Sequence, residues 1–263
     1  MGKIILKREF VNVKVGKTIE RVYLLKNEKL NAFNPKLLGL GDISQRSSRV
    51  EAIAAVFDLS GFTKFCGQND PQLCVPDFLS QFLTWLFDEI KKGTVNEHYA
   101  LGKSLWCDLP FLAKFLGDGV LFLWDTDTMV DGYSLGNVVI SLSNICSNYV
   151  ADFYPKIKRI VVEPPSIIRC GIARGSVYSV GNAEDYIGPC INVASRLQKL
   201  GTLNFCVSRK GLDFENDMQK AEYEKYYLKT VPLIGIGDNE LIWVMKDEFD
   251  KLPEKERASF KDP

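Results

Sequence analysis

Over residues 1–30, apolar and polar side chains alternate on either side of a Gly16-Lys17 turn (FVNVKV, then TIERVYLL), the period-two pattern of a β-hairpin. Residues 39–48, GLGDISQRSS, are polar with two glycines and read as a loop or linker. A core strand follows from about Val50 to Phe57. The period then becomes helical: after Pro76 and Asp77, the residues Phe78, Phe82, Trp85, Leu86 and Ile90 recur on one face. Residues 93–110 show no period. FLAKFLGDGVLFLW, 111–124, reads as two strands joined at Gly117-Asp118-Gly119. A second helix is predicted over 131–153. Pro164-Pro165 then break the chain, and RCGIARGSVYSVG reads as another strand pair turning at Gly175. A third helix, INVASRLQKL over 191–200, ends at Gly201. Strand NFCVS, a mixed stretch to about 225 and a last strand ELIWVM complete the order. The pattern predicts an α+β sandwich of sheet and helices.

Composition narrows the function. At 263 residues and 46% hydrophobic, the chain can bury one large core, with or without an appendage. Thirty-three basic and 33 acidic residues cancel, which leaves no electrostatic footprint for nucleic acid or an anionic membrane. The seven cysteines (Cys66, Cys74, Cys107, Cys146, Cys170, Cys190 and Cys206) are odd in number and scattered without a CxxC pair. They read as reduced thiols rather than a zinc or disulfide framework. MGKIILKREF lacks the apolar core of a signal peptide, and no run approaches the ~18 apolar residues of a membrane span. The expectation is a soluble, cytoplasmic protein.

Two acids sit where buried strands end. Asp58 follows IAAVF, and Asp118 lies in the GDG hairpin. A turn role accounts for Asp118 alone equally well, and a cap role for Asp58. On neighbouring strands, however, the pair places two carboxylates on one sheet edge. Such a few-ligand set suits Mg²⁺ or Mn²⁺, which take further ligands from water and substrate phosphates. The Leu59–Thr63 loop adds backbone N–H groups and two hydroxyls as a seat for phosphate oxygens. The functional reading is a metal–polyphosphate site.

Spacing excludes its competitors. There is no GxxxxGK[ST] loop. A haloacid-dehalogenase phosphatase needs an acid where Ser60 stands. His98, the one histidine, lies in an irregular polar stretch and supports no Ser–His–Asp mechanism. In EDYIGPCINVASRLQKL, Asn192 and Arg196 are four apart and share a helix face; they are polar surface residues or part of a site.

FDLSGFT, KFLGDG, RCGIARGSV and DYIGPCINVASRL, in this order, resemble the class III nucleotidyl cyclases over residues 50–210. The resemblance implies a ferredoxin-like βαββαβ core, acting as a head-to-tail homodimer with sites at the interface. It divides the chain into an N-terminal strand extension and linker (1–49), a catalytic core (50–210) and a completing C-terminal part (211–263). It further implies that Asp58, Asp118 and the Leu59 backbone hold two divalent cations, Mn²⁺ or Mg²⁺. Ser60, Gly61, Phe62 and Thr63 would seat phosphate, Asn192 would position the ribose, and Arg196 from the opposite subunit would stabilise charge at the α-phosphorus. Lys114 and Asp185 match the family's base-reading pair. Their hydrogen-bonding capacity is compatible with adenine, uracil or cytosine.

The run FDLSGFTKFCGQNDPQLCVPDFLSQFLTWLFDEI resembles more closely the pyrimidine cyclases of Pycsar antiphage defence. That implies UTP as substrate, cyclic UMP as product and a separate effector that reads it. An adenylate or cytidylate cyclase, and an inactive cyclase-homology domain that binds nucleotide or a partner, are the rivals. The family's late phosphate-binding lysine is missing: PLIGIGDNEL has Ile234 and Ile236 there. Arg174 is the expected substitute, on strand RCGIARG.

Overall fold

A computed structural model describes residues 9–98, 102–129, 133–182 and 185–263. The chain divides into two compact units, one of residues 1–49 and 178–187, the other of 50–177 and 188–263. In the first unit, β1 (Glu9–Val15) and β2 (Thr18–Leu24) form the expected hairpin, turned at Gly16 with φ 63°. A short helix, α1 (Asn27–Asn31), and a 3₁₀ turn over Pro35–Leu38 follow. Within this unit Ser47 and Ser48 hydrogen-bond Ser179, at 2.7 Å to its carbonyl and 2.8 Å to its hydroxyl.

The second unit contains β3 (Arg49–Ser60, from Val50 onward), α2 (Phe62–Cys66), α3 (Pro71–Thr94), β4 (Val95–His98) and β5 (Gly102–Leu105). Next come β6 (Leu112–Phe115), β7 (Gly119–Asp125) and α4 (Tyr133–Asn148). A π-turn over Tyr149–Phe153 carries α4 into α5 (Tyr154–Ile157), and β8 (Ile167–Val180) leads to β9 (Asp185–Ile187) in the first unit. The chain ends with α6 (Pro189–Leu197), β10 (Phe205–Ser208), α7 (Phe214–Asp217), α8 (Lys220–Tyr223), β11 (Tyr226–Leu233), β12 (Gly237–Met245), α9 (Lys246–Phe249) and α10 (Glu254–Arg257).

Strand order in the main sheet is β11-β12-β10-β8-β3-β7-β6. Its β8-β3-β7-β6 half, with α3 and α4 as connections, is the ferredoxin-like βαββαβ arrangement. Parity along the strands sorts the two faces. Ile53, Ala55, Phe57 and Leu59 of β3, with Ile168, Cys170 and Ile172 of β8, join one core with Phe78, Phe82, Leu86 and Ile90 of α3 and Val138, Leu142 and Ile145 of α4. Asp58 and Ser60 therefore point to the opposite face. So do the odd positions of β8, where α6 crosses: a Cβ on Gly171 would strike the Ala194 carbonyl, and one on Gly175 would meet Cys190 Cβ at 3.4 Å.

Several elements differ from the sequence reading. β3 runs through Asp58 to Ser60 rather than stopping at Phe57, because the Leu59 amide donates to the Asp118 carbonyl at 3.1 Å and extends the pairing. RCGIARGSVYSVG is one long strand, not a hairpin; Gly175 makes room for α6 rather than a turn. α3 begins at Pro71, and Pro76 lies inside it. β4 and β5 pair where no period was visible, and YYLKTVPL forms β11. Among the described residues, no helix is long and apolar enough to cross a membrane.

Candidate active site

The centre of the site is a junction of two strands and a turn. Asp58 pairs across the β3–β7 ladder with Gly119, and the neighbouring turn residue is Asp118. A Cβ on Gly119 would run into the Phe57 carbonyl oxygen, so glycine lets the strands close at this point. Both acids are half-buried. Burial first, then the Asp118 charge, push the Asp58 carboxyl above the ordinary carboxylate range; Arg169 and Lys199 pull it back.

Two cations thus act on Asp58. Arg169, on β8, donates from Nη2 to Ser60 Oγ at 2.8 Å. Lys199 follows the C-terminus of α6, where its amide donates to the Arg196 carbonyl at 3.1 Å. Beyond Ser60, Gly61 takes φ 83°, and α2 begins at Phe62, whose ring leans on Phe65 and Phe78 at 5.9 and 6.4 Å between centroids. The supposed Leu59–Thr63 loop is thus two strand residues, one left-handed glycine and a helix start, with Thr63 exposed.

Asn192 and Arg196 are exposed on α6, one turn apart, while Ala194 and Leu197 bury the opposite side. Lys114 pairs with Leu121 in the β6–β7 ladder, and that register gives it the same sheet face as Asp58. Asp185 belongs to the other unit, on β9, where its carboxylate accepts from the Tyr186 amide at 2.8 Å.

Arg174 is not brought to the carboxylates. Strand parity places it on the α3–α4 face of the sheet, opposite Asp58. There it donates to the Gly211 carbonyl at 3.1 Å and to Thr126 Oγ1 at 3.3 Å. These two bonds tie the Gly211 loop to the end of β7.

No family model matches the sequence, and no curated protein matches it. Solved structures do share the fold. The adenylyl cyclase CyaB from P. aeruginosa does so with a TM-score of 0.58 at 15% identity, over 80% of this chain and 100% of that one. The guanylyl cyclase Cya2 gives 0.56 at 17%, over 76% and 94%. The catalytic core of a rhodopsin-guanylyl cyclase with converted specificity, in complex with ATPalphaS, gives 0.51 at 17%, over 76% and 98%. The fold is that of a class III cyclase catalytic domain.

Within this cyclase fold, the donors around Asp58 fit a hard divalent cation. They are carboxylate oxygens, close enough for one charge to raise the other's proton affinity, the repulsion a bound cation relieves. Among the described residues, no group of three or more His, Cys, Asp or Glu could hold a metal by itself. Sequence reasoning missed Arg169 and Lys199. Both lie inside motifs it used, RCGIARG and INVASRLQKL, and strand parity would have separated Arg169 from Arg174.

Proposed function

We propose that this chain is a homodimeric, metal-dependent nucleotidyl cyclase that closes UTP to 3′,5′-cyclic UMP with release of pyrophosphate. The product would be a messenger for a separate effector in antiphage defence. The observation that carries the cyclase reading is the Asp58–Asp118 pair at the β3–β7 junction of a cyclase fold. Asn192 and Arg196 on α6 supply the complementary groups.

In this reading Asp58, Asp118 and the Leu59 backbone hold the cations. Bound Mn²⁺ or Mg²⁺ supplies acidification of the ribose 3′-hydroxyl and charge neutralisation of the triphosphate. Asn192 orients the ribose so that its hydroxyl faces the α-phosphorus. Arg196 offers a planar fork of donors to the charge that grows there. Its exposure on α6 supports delivery to a partner's site. Head-to-tail pairing of two identical chains then makes two equivalent sites.

Lys114 and Asp185 would read the base, the lysine donating to a carbonyl or ring nitrogen and the aspartate accepting an N–H. The likeness of residues 57–90 to the pyrimidine cyclases supports uracil. Adenine satisfies the same donor and acceptor, and one of the structures sharing the fold is an adenylyl cyclase. An equimolar mixture of the four ribonucleoside triphosphates, with products resolved by mass, separates the readings. Cyclic UMP in excess is expected; predominant cyclic AMP or cyclic CMP overturns the uracil assignment.

A further inference from the structure

The β1–β2 hairpin is exposed along its whole length. It forms a two-stranded sheet of its own, and such a hairpin is only marginally stable in water; three or more strands with an apolar face are needed. Residues opposite each other share a face, so one face carries Val11, Val13, Val15, Val22 and Leu24, each 40–50% exposed. The other carries Phe10 and Tyr23, with the Arg21 guanidinium over the Phe10 ring at 4.3 Å. An exposed valine stripe on a lone hairpin is a surface that further strands would complete.

Its two edges are not alike. Val15 and Thr18 close the two-residue turn, so Val11, Val13 and Val15 bond to β2 while the amides and carbonyls of Phe10, Asn12 and Lys14 point outward. β2 has Glu20 and Arg21 side by side at its centre, charges of the kind that guard a natural edge. The centre of β1, Val11-Asn12-Val13, has no charge, proline or glycine, and its register with β2 runs without a bulge. Among the described residues, no other strand pairs with this edge.

The strand that suits the edge is β1 itself, turned antiparallel about a two-fold axis. With Val13 opposite the partner's Val13, the outward groups of Asn12 and Lys14 meet those of the partner's Lys14 and Asn12. Val11 then faces the partner's Val15, so valine meets valine along the seam, and Glu9 approaches the partner's Lys17. Centring the pair on Asn12 instead would set Glu9 against a valine and Lys14 against Phe10.

We propose that the β1 edge is an interaction surface for a second copy of this chain, β1 pairing antiparallel with β1 and Val13 lying at the two-fold axis. The product is a four-stranded sheet in the order β2-β1-β1-β2, with the valine stripe continuous across its centre. The contact uses the hairpin alone and goes beyond the cyclase reading, whose dimer brings α6 of one chain to the Asp58 pair of the other.

Disulfide trapping in the full chain tests it, with Val13→Cys, Val22→Cys, Val11→Cys and Val15→Cys under mild oxidation and the linked peptides identified by mass. Wild type, whose Cys66 and Cys74 are partly exposed, sets the background. In the proposed sheet the two copies of position 13 are a non-hydrogen-bonded pair with Cα atoms about 4.5 Å apart, within reach of a disulfide. The two copies of position 22 lie three strand spacings apart, about 14 Å, and cannot be joined. Val13→Cys is expected to link to itself about ten-fold faster or more than Val22→Cys. Val11→Cys and Val15→Cys should stay unlinked alone and form a mixed disulfide when combined, which fixes the register. Equal rates at positions 13 and 22, or no disulfide at position 13, overturn the proposal; a dimer held only through its catalytic faces gives the second result. Linking of Val11→Cys to itself as fast as to Val15→Cys also overturns it.

Discussion

Gly119 stands directly across the β3–β7 ladder from Asp58, so close that a side-chain carbon on it would overlap the carbonyl of Phe57. The proposed metal ligand is thus positioned by the lack of a side chain on the neighbouring strand. Gly119→Ala should force the strands apart and cost about 2–3 kcal/mol of stability. Gly117→Ala has open space around it but a φ of 100°, and should cost about 1 kcal/mol. Thermal unfolding measures both. Cyclase activity should collapse in Gly119→Ala, even under conditions where the variant is fully folded, and survive in Gly117→Ala.

Shared sites make a quantitative expectation. Asp58→Ala and Arg196→Ala should each be inactive alone. Mixed in equal amounts and allowed to exchange, they should regain about a quarter of wild-type activity, since half the dimers carry one intact site of two. Product formation before and after mixing reads this. A mixture as inactive as its parts would mean that both residues serve one chain.

Glu248 provides a pH test away from the site. Its carboxylate accepts from the amides of Asn204 and Phe205 at 2.9 and 3.2 Å, yet burial outweighs these bonds and holds its carboxyl above the usual range of 4.5. The folded protein therefore grips this proton more tightly than the unfolded chain. Stability from this group is present below pH 4.5 and is lost as pH rises through the raised folded value. Glu248→Gln should gain on wild type in Tm as pH is raised across that window. Glu248→Ala should lose about 1–3 kcal/mol at any pH, because two amides are orphaned.

The aromatic packing between α3 and the π-turn carries a buried hydrogen bond from Tyr149 Oη to the Pro165 carbonyl at 2.6 Å. Tyr149→Phe keeps the ring and leaves that carbonyl unpaired. A loss of about 1–2 kcal/mol, or about 2–4 °C in Tm, is expected.

The parts of the fold that could be read from the sequence are those where one period holds over a whole element. The face of α3 with Phe78, Phe82, Leu86 and Ile90 is buried as its spacing implied. The GDG turn joins β6 and β7 as expected. β8 was misread because a glycine in a strand looks the same whether it turns the chain or makes room for a helix; Cys190, fifteen residues further along, is what lies against Gly175. β4 and β5 have too few apolar positions to declare a period. At the site, Asp58 and Asp118 were visible as acids at strand ends. Arg169 was not, because its significance depends on which strand lies beside β3.

The most direct measurement is product formation from each ribonucleoside triphosphate separately, with Mn²⁺, by wild type and by Asp58→Ala, each product identified by mass. The account expects cyclic UMP from UTP with wild type and none with the variant. Cyclic nucleotide from Asp58→Ala at the wild-type rate, or none from wild type with any of the four, would contradict it.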